Sequence, residues 1–384
     1  MKGRDILMIA LVLALSCVLG TTPMVKAAIK NKLMPKVEVE KLTQMQGQLS
    51  DYFLEDAYLE SLVDDWYNSL SSTARVGQLI MPAWDNETNL DTLKVLIETE
   101  AVGGYMVLNK TFTPELIADL EMANPNIVPL LVSVDAEPSL LKYRFEDPVY
   151  EKETKDLDTT ELINKVTKDI ADELKRFGMN LNFAPVYDLG TNKSVIGARA
   201  FSDDPEIVQE RANLMARDFM RANIIPTAKH FPGHGLVSGD THLELQTITE
   251  PLKELESFKS AITAQIPMVM VGHLAVKNET CDTDGLPATL SSLMMTDLLR
   301  EELGFKGLII TDAMNMQAVS EIEDADLKAL LAGADIVLMP LDAAKLNQDI
   351  QELLMIEPVF APEFEAKIKR VLRLKLVQRL SKYE

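Results

Sequence analysis

Residues 224–242 read Ile224-Ile225-Pro226-Thr227-Ala228-Lys229-His230-Phe231-Pro232-Gly233-His234-Gly235-Leu236-Val237-Ser238-Gly239-Asp240-Thr241-His242. The run 224–232 is short and mostly apolar, and it ends in a lysine and a histidine. A strand that is apolar on both faces belongs in a parallel sheet covered by helices on both sides. The same pattern recurs at 76–84, 102–109, 128–137, 179–188, 266–273, 307–314 and 335–340. Between these runs lie helical patterns. Ile163, Val166, Ile170, Leu174 and Phe177 follow spacings of three and four, and Gly178 supplies a stop. Asp204-Pro205 reads as a helix start, with Val208, Ala212, Met215 and Phe219 on the buried face. Eight strands alternating with helices predict an α/β fold, a (β/α)8 TIM-type barrel. An open doubly wound sheet is the alternative, and the lack of a Gly-rich phosphate loop after the first strand weakens it.

The chain has 384 residues, 47 % of them hydrophobic and 25 % charged, which suits a folded domain with a sizeable core. Lysine and arginine total 38 against 59 aspartate and glutamate, a net charge of −21. So acidic a chain is unsuited to binding nucleic acid or anionic lipid through its overall field. Two cysteines exclude a disulfide-built fold and a Cys-rich zinc module. Residues 1–27 read as a signal peptide: Lys2 and Arg4, an apolar run from Ile6 to Leu19, then Val25 and Ala27 before a cleavage point. An N-terminal membrane anchor, including lipid on Cys17, is the alternative. Either reading makes the protein exported, periplasmic or at the cell surface. Residues 28–67 read as a helical lead-in, with Tyr58, Leu62, Trp66 and Leu70 on one face of the run 54–70, and 68–384 as the barrel.

In a barrel of this kind the chemistry sits at the C-terminal ends of the strands. The apolar runs end in Asp135, Asp188, Lys229-His230, His273 and Asp312, and Asp188 is a candidate structural carboxylate to hold Lys229. Ionisable groups closing apolar strands are costly unless solvated or paired, so five runs ending this way point to an active site. Gly233, Gly235 and Gly239 suggest a mobile stretch after Lys229-His230, and Asp240 is placed to orient His242 as a proton donor. The cluster has no His-x-His at the first strand and no His-Glu-x-x-His, so no metal is expected.

Lys229-His230-Phe231-Pro232-Gly233-His234-Gly235, four residues, then Asp240-Thr241-His242 closely resembles the signature of glycoside hydrolase family 3, in its β-N-acetylglucosaminidase (β-hexosaminidase) branch. Asn180–Asp188, Ile196–Phe201 and Ile309–Met316 resemble other strands and loops of that family, and the resemblance covers roughly residues 68–384. It implies a nucleophile at Asp312, a general acid/base at His242 oriented by Asp240, and sugar-binding roles for Asp135, Arg144, Arg199, Lys229 and His230. It implies no cofactor and no metal. The expected activity is that of a retaining exo-β-N-acetylglucosaminidase on peptidoglycan fragments (muropeptides) or chitin-type oligosaccharides, with the protein a monomer. A β-glucosidase of the same family and a non-catalytic sugar-binding barrel are the alternatives. The chain departs from the family at Pro138-Ser139, where two glycines are usual, and Arg144 stands about one residue late. That reshapes the loop after the third strand.

Overall fold

The computed structural model describes residues 48–85, 90–108, 110–237, 239 and 244–381. Residues 1–27, expected to be a signal segment, and 28–47, the first half of the lead-in, lie outside the described residues. So do Asp240 and His242.

All eight apolar runs contain parallel strands. The first run holds two, β1 (Ile80–Met81) and β2 (Ala83–Trp84), on either side of Pro82. The next runs hold β3 (Gly104–Val107), β4 (Leu131–Val134), β5 (Leu181–Asn182) and β6 (Ile225–Phe231). A short strand β7 (Gln246–Ile248) precedes β8 (Met268–Val271), and β9 (Leu274–Val276) follows it. Then come β10 (Leu308–Thr311) and β11 (Val337–Leu338). A seven-stranded parallel sheet runs β2-β3-β4-β5-β6-β8-β10, and β1 pairs with β11. Together they make a curled, TIM-like α/β sheet. The small β7–β9 pair was not anticipated from the sequence; it lies outside the main sheet.

The strands of the main sheet are buried on both faces because helices cover the outside. Helix Thr160–Phe177 starts where the Thr159 hydroxyl accepts from the Leu162 amide, and it ends at Gly178, whose φ of 81° is left-handed. It buries Ile163, Val166, Ile170 and Leu174. Helix Pro205–Arg221 is capped by Asp204, which accepts from the Glu206 amide, and it buries Val208, Ala212, Met215 and Phe219. Each such side chain contributes about 1.5–3 kcal/mol when fully buried. In the lead-in, helix Ala57–Ser69 buries Leu59, Leu62, Val63 and Trp66 against helix Ala361–Leu380. Tyr58 is only half-buried, and Leu70 falls just past the helix end. A strict spacing of four drifts around a helix of 3.6 residues per turn, so Leu59 and Val63 share the buried face instead.

Candidate active site

The outgoing ends of the strands surround a cavity of about 480 Å³, within the range of small-ligand sites. Its wall includes Asp135, Arg144, Arg199, Lys229, His230 and Asp312. Six of the eight site residues expected from the sequence therefore meet at one cavity. The other two, Asp240 and His242, lie outside the described residues.

Lys229 and His230 are neighbours in the chain, yet both reach this cavity. The pairing of β6 with β8 shifts register here: Lys229 stands opposite Met270, and Phe231, two residues on, stands opposite Val271. An irregularity of this kind re-aims side chains at a strand end. The Lys229 Nζ donates to Asp135 Oδ1 at 2.5 Å and lies 2.5 Å from Glu137 Oε1. The Arg199 guanidinium grips the Glu137 carboxylate through two bonds, Nε to Oε2 at 2.8 Å and a terminal nitrogen to Oε1 at 2.7 Å. Arg144 reaches the other oxygen of Asp135 at 3.2 Å. Two buried carboxylates are thus held by three cations. Burial alone would push the Asp135 carboxyl up, but the charges of Lys229, Arg144 and Arg199 outweigh it and hold it well below the usual carboxylate range. Burial opposes the charge on Arg199 too, and Glu137 and Asp135 raise its pKa in spite of it.

Glu137 is the member of this network that the sequence reading did not place in the site. The signal was present: Asp135 and Glu137 are two apart at a strand end, the spacing that puts side chains on the same side. Asp188 has a different partner from the one expected. It was read as a possible holder of Lys229. Instead its carboxylate accepts from the His230 amide, bonds His230 Nδ1 at 2.6 Å, and accepts from the His234 amide at 2.9 Å. With Nδ1 occupied, the His230 Nε2 faces the Arg199 guanidinium at 3.4 Å.

Asp312 follows β10. Its amide donates to the Val271 carbonyl, and its Oδ1 accepts from the Ala313 amide at 2.8 Å. Among the described residues, that amide is the only hydrogen-bond donor to this carboxylate in the structure. Burial raises the Asp312 carboxyl, while His230, His273, the Ala313 amide and Lys229 lower it; the net result is below the ordinary value. The side chain is therefore an ionised carboxylate at neutral pH, open to the cavity. His273 does not line the cavity. It bonds Thr289 Oγ1 at 2.8 Å and the Ala313 carbonyl at 2.9 Å, bracing the residue next to Asp312. His234 is also buried, and burial followed by the charge of His230 lowers its pKa to about 4, so it is neutral near pH 7.

At the departure from the family pattern, Ser139 uses its hydroxyl fully. It donates to the Ala198 carbonyl at 2.5 Å, accepts from the Thr154 amide at 2.9 Å, and lies 2.7 Å from the Thr154 hydroxyl. This fastens the charged stretch after 146 to the residue preceding Arg199.

With this geometry in place, the family assignment follows from a direct match. Residues 72–374 fit the Glycosyl hydrolase family 3 N terminal domain. The chain belongs to glycosyl hydrolase family 3. It is 32 % identical over 267 residues to the Beta-hexosaminidase of Xylella fastidiosa (strain M12), covering 63 % of this chain and 77 % of that one. It is 35 % identical over 206 residues to Beta-hexosaminidase A of Pseudoalteromonas piscicida, covering 49 % of this chain but only 34 % of the relative. The family 3 β-N-acetylglucosaminidase from Paenibacillus sp. str. FPU-7 superposes with a TM-score of 0.74 at 30 % identity, over 81 % of this chain and 63 % of that one. The Beta-N-acetylhexosaminidase from Beutenbergia cavernae DSM 12333 gives 0.70 at 25 %, over 80 % and 98 %. The two structural comparisons add a like fold.

Proposed function

We propose that this family 3 chain is a retaining exo-β-N-acetylglucosaminidase. The observation that carries the reading is the ionised Asp312 carboxylate, opening on a cavity whose wall is lined by Asp135, Lys229, Arg199 and His230. Relatives and a structural neighbour named for β-hexosaminidase or β-N-acetylglucosaminidase activity support the substrate class. In this reading a terminal β-linked GlcNAc sits with its hydroxyls on the charged wall. Asp312 attacks the anomeric carbon, the C–O bond to the leaving group breaks, and that oxygen takes a proton from His242, with Asp240 orienting the ring. Water, deprotonated by the same imidazole, then displaces Asp312 and releases the sugar with its configuration retained. The sugar is held in place by groups that are already paired and positioned, so little reorganisation accompanies binding.

We also read the curled sheet as a complete (β/α)8 barrel. The Ile310–Ile336 bridge between the β10 and β11 segments and the β1–β11 pairing support closure. Export and action on peptidoglycan fragments or chitin-type oligosaccharides, as a monomer, complete the proposal. They rest on the leader-like residues 1–27 and on the substrate class alone. No helix among the described residues is long and apolar enough to cross a membrane.

The test is a side-by-side assay with chromogenic β-GlcNAc and β-glucoside substrates, with a chelator and an Asp312→Asn control. Release from the β-GlcNAc substrate alone, unaffected by chelator and lost in the variant, is the expected result. Preference for the glucoside would show that the Pro138-Ser139 loop has redirected specificity. No release from either would favour a sugar-binding barrel.

A further inference from the structure

Glu254 immediately precedes helix Leu255–Thr263, outside every stretch that carried the site in the sequence. Its side chain is wholly buried beneath the turn that follows β6. Oε1 accepts from two backbone amides, Leu189 at 2.6 Å and Gly235 at 3.0 Å. Leu189 is the residue after Asp188, and Gly235 is the residue after His234. Asp188 in turn accepts from the amides of His230 and His234. Two carboxylates therefore rivet the same junction. Asp188, at the end of the β5 segment, holds the two histidines, and Glu254 joins Leu189 to Gly235.

This changes the meaning of the two glycines. The sequence reading took Gly233 and Gly235 as sources of mobility. A Cβ on Gly233 would lie 2.2 Å from Glu254 Oε2 and 2.5 Å from Glu254 Cβ. A Cβ on Gly235 would lie 2.3 Å from the Leu189 carbonyl and 2.6 Å from Glu254 Oε1. The glycines make room for this carboxyl group.

Among the described residues no cation pairs with it, and Oε2 has no hydrogen-bond partner. The ionisable groups on the surrounding elements are Asp188 from the β5 segment and His230 and His234 from the turn; Lys253 and Glu256 on its own segment are exposed. From helix Pro205–Arg221, which packs on helix Leu255–Thr263, Arg217 acts on Tyr187. A carboxylate without a counter-ion in such a place is strongly disfavoured, and the neighbouring Asp188 charge disfavours it further. We propose that Glu254 is a positioning residue for the reaction, held as an uncharged acid under the turn, where it sets His230 and His234 against Asp188. Burial first, and the Asp188 charge second, outweigh the Leu189, Gly235 and Leu236 amides, which favour the charged form, and raise its pKa to about 8, consistent with that state.

Glu254→Gln copies the neutral acid, keeping one acceptor for the two amides, whereas Glu254→Ala removes it. The kinetic arm rests on the glycosidase reading above. At about pH 6, Glu254→Gln is expected to keep kcat/KM within about threefold of wild type, and Glu254→Ala to lose about 100-fold. Wild-type activity should fall as pH rises past about 8, and that fall should be absent in Glu254→Gln. The second arm needs no substrate. The folded pKa lies above the unfolded value, so the folded chain holds the extra proton and wild-type stability declines as pH rises from about 5 to about 8. The melting temperature of Glu254→Gln, relative to wild type, should therefore climb across that window and level off above it. A parallel pH dependence of melting for the two proteins would overturn the proposal. So would a Glu254→Gln variant as inactive as Glu254→Ala at about pH 6, since the charged form would then be the one required. If wild type turns over no β-GlcNAc substrate, the melting arm still decides the state of Glu254, and the failure belongs to the substrate reading.

Discussion

The two ends of the sheet use the same ingredients differently. At the incoming end Asp335 is fully buried and accepts from Arg300 at 2.6 Å, from Arg370 at 2.7 and 2.8 Å, and from the Ile309 amide at 2.8 Å. Nearby, the Lys375 ammonium donates to Gln78 Oε1 at 2.5 Å and to the Gly103 carbonyl at 2.6 Å. Arg370 and Lys375 both come from helix Ala361–Leu380, which closes that end. At the outgoing end the ions also pair, but they pair around a cavity, and Asp312 takes only the Ala313 amide among the described donors. Pairing alone therefore does not mark function. A charge that is fixed in place and still faces open space does.

The sharpest break between the ends should come from Asp312→Asn. It is expected to lower kcat/KM by about four orders of magnitude, measured on a chromogenic β-GlcNAc substrate, with no loss of melting temperature. Lys229→Met should damage both properties. It strands Asp135 and Glu137 without their shared ammonium, costing about 3–5 kcal/mol in denaturant melts and at least about 100-fold in kcat/KM.

At the closed end, Lys375 supplies a pH test. Burial lowers its pKa from 10.5 to about 7. Between these values the unfolded chain holds a proton that the folded chain does not. Stability from this group therefore rises with pH from about 7 to about 10, by a few kcal/mol, and is constant below about 7. In Lys375→Met that rise should vanish, as followed by melting temperature across the window. The smallest effect belongs to Arg300→Met. Arg370 still holds Asp335, so the cost should be about 1–3 kcal/mol, with kcat per folded molecule unchanged. A large fall in kcat there would erase the distinction between the two ends.

Much of the cavity wall was legible in the sequence because ionisable residues closing apolar runs are conspicuous. Asp135, Lys229, His230 and Asp312 were all found that way. Glu137 is readable from its spacing to Asp135, but the sequence does not show that Lys229 and Arg199 converge on it. The partner of Asp188 was misread because a sequence shows which residues end strands, not how they bond across them. Glu254 gave no signal at all. It sits before a surface helix, 19 residues from the glycine it bonds, and only the fold brings it beneath the turn.

The most direct measurement is covalent trapping. The chain would be incubated with a fluorinated N-acetylglucosaminyl fluoride, which forms the glycosyl-enzyme quickly and releases it slowly, then digested and mapped by mass spectrometry. The expected result is a single sugar adduct on the peptide carrying Asp312, absent in Asp312→Asn. An adduct on another carboxylate, or steady turnover of β-GlcNAc substrate with no adduct, would contradict the assignment of Asp312 as the nucleophile.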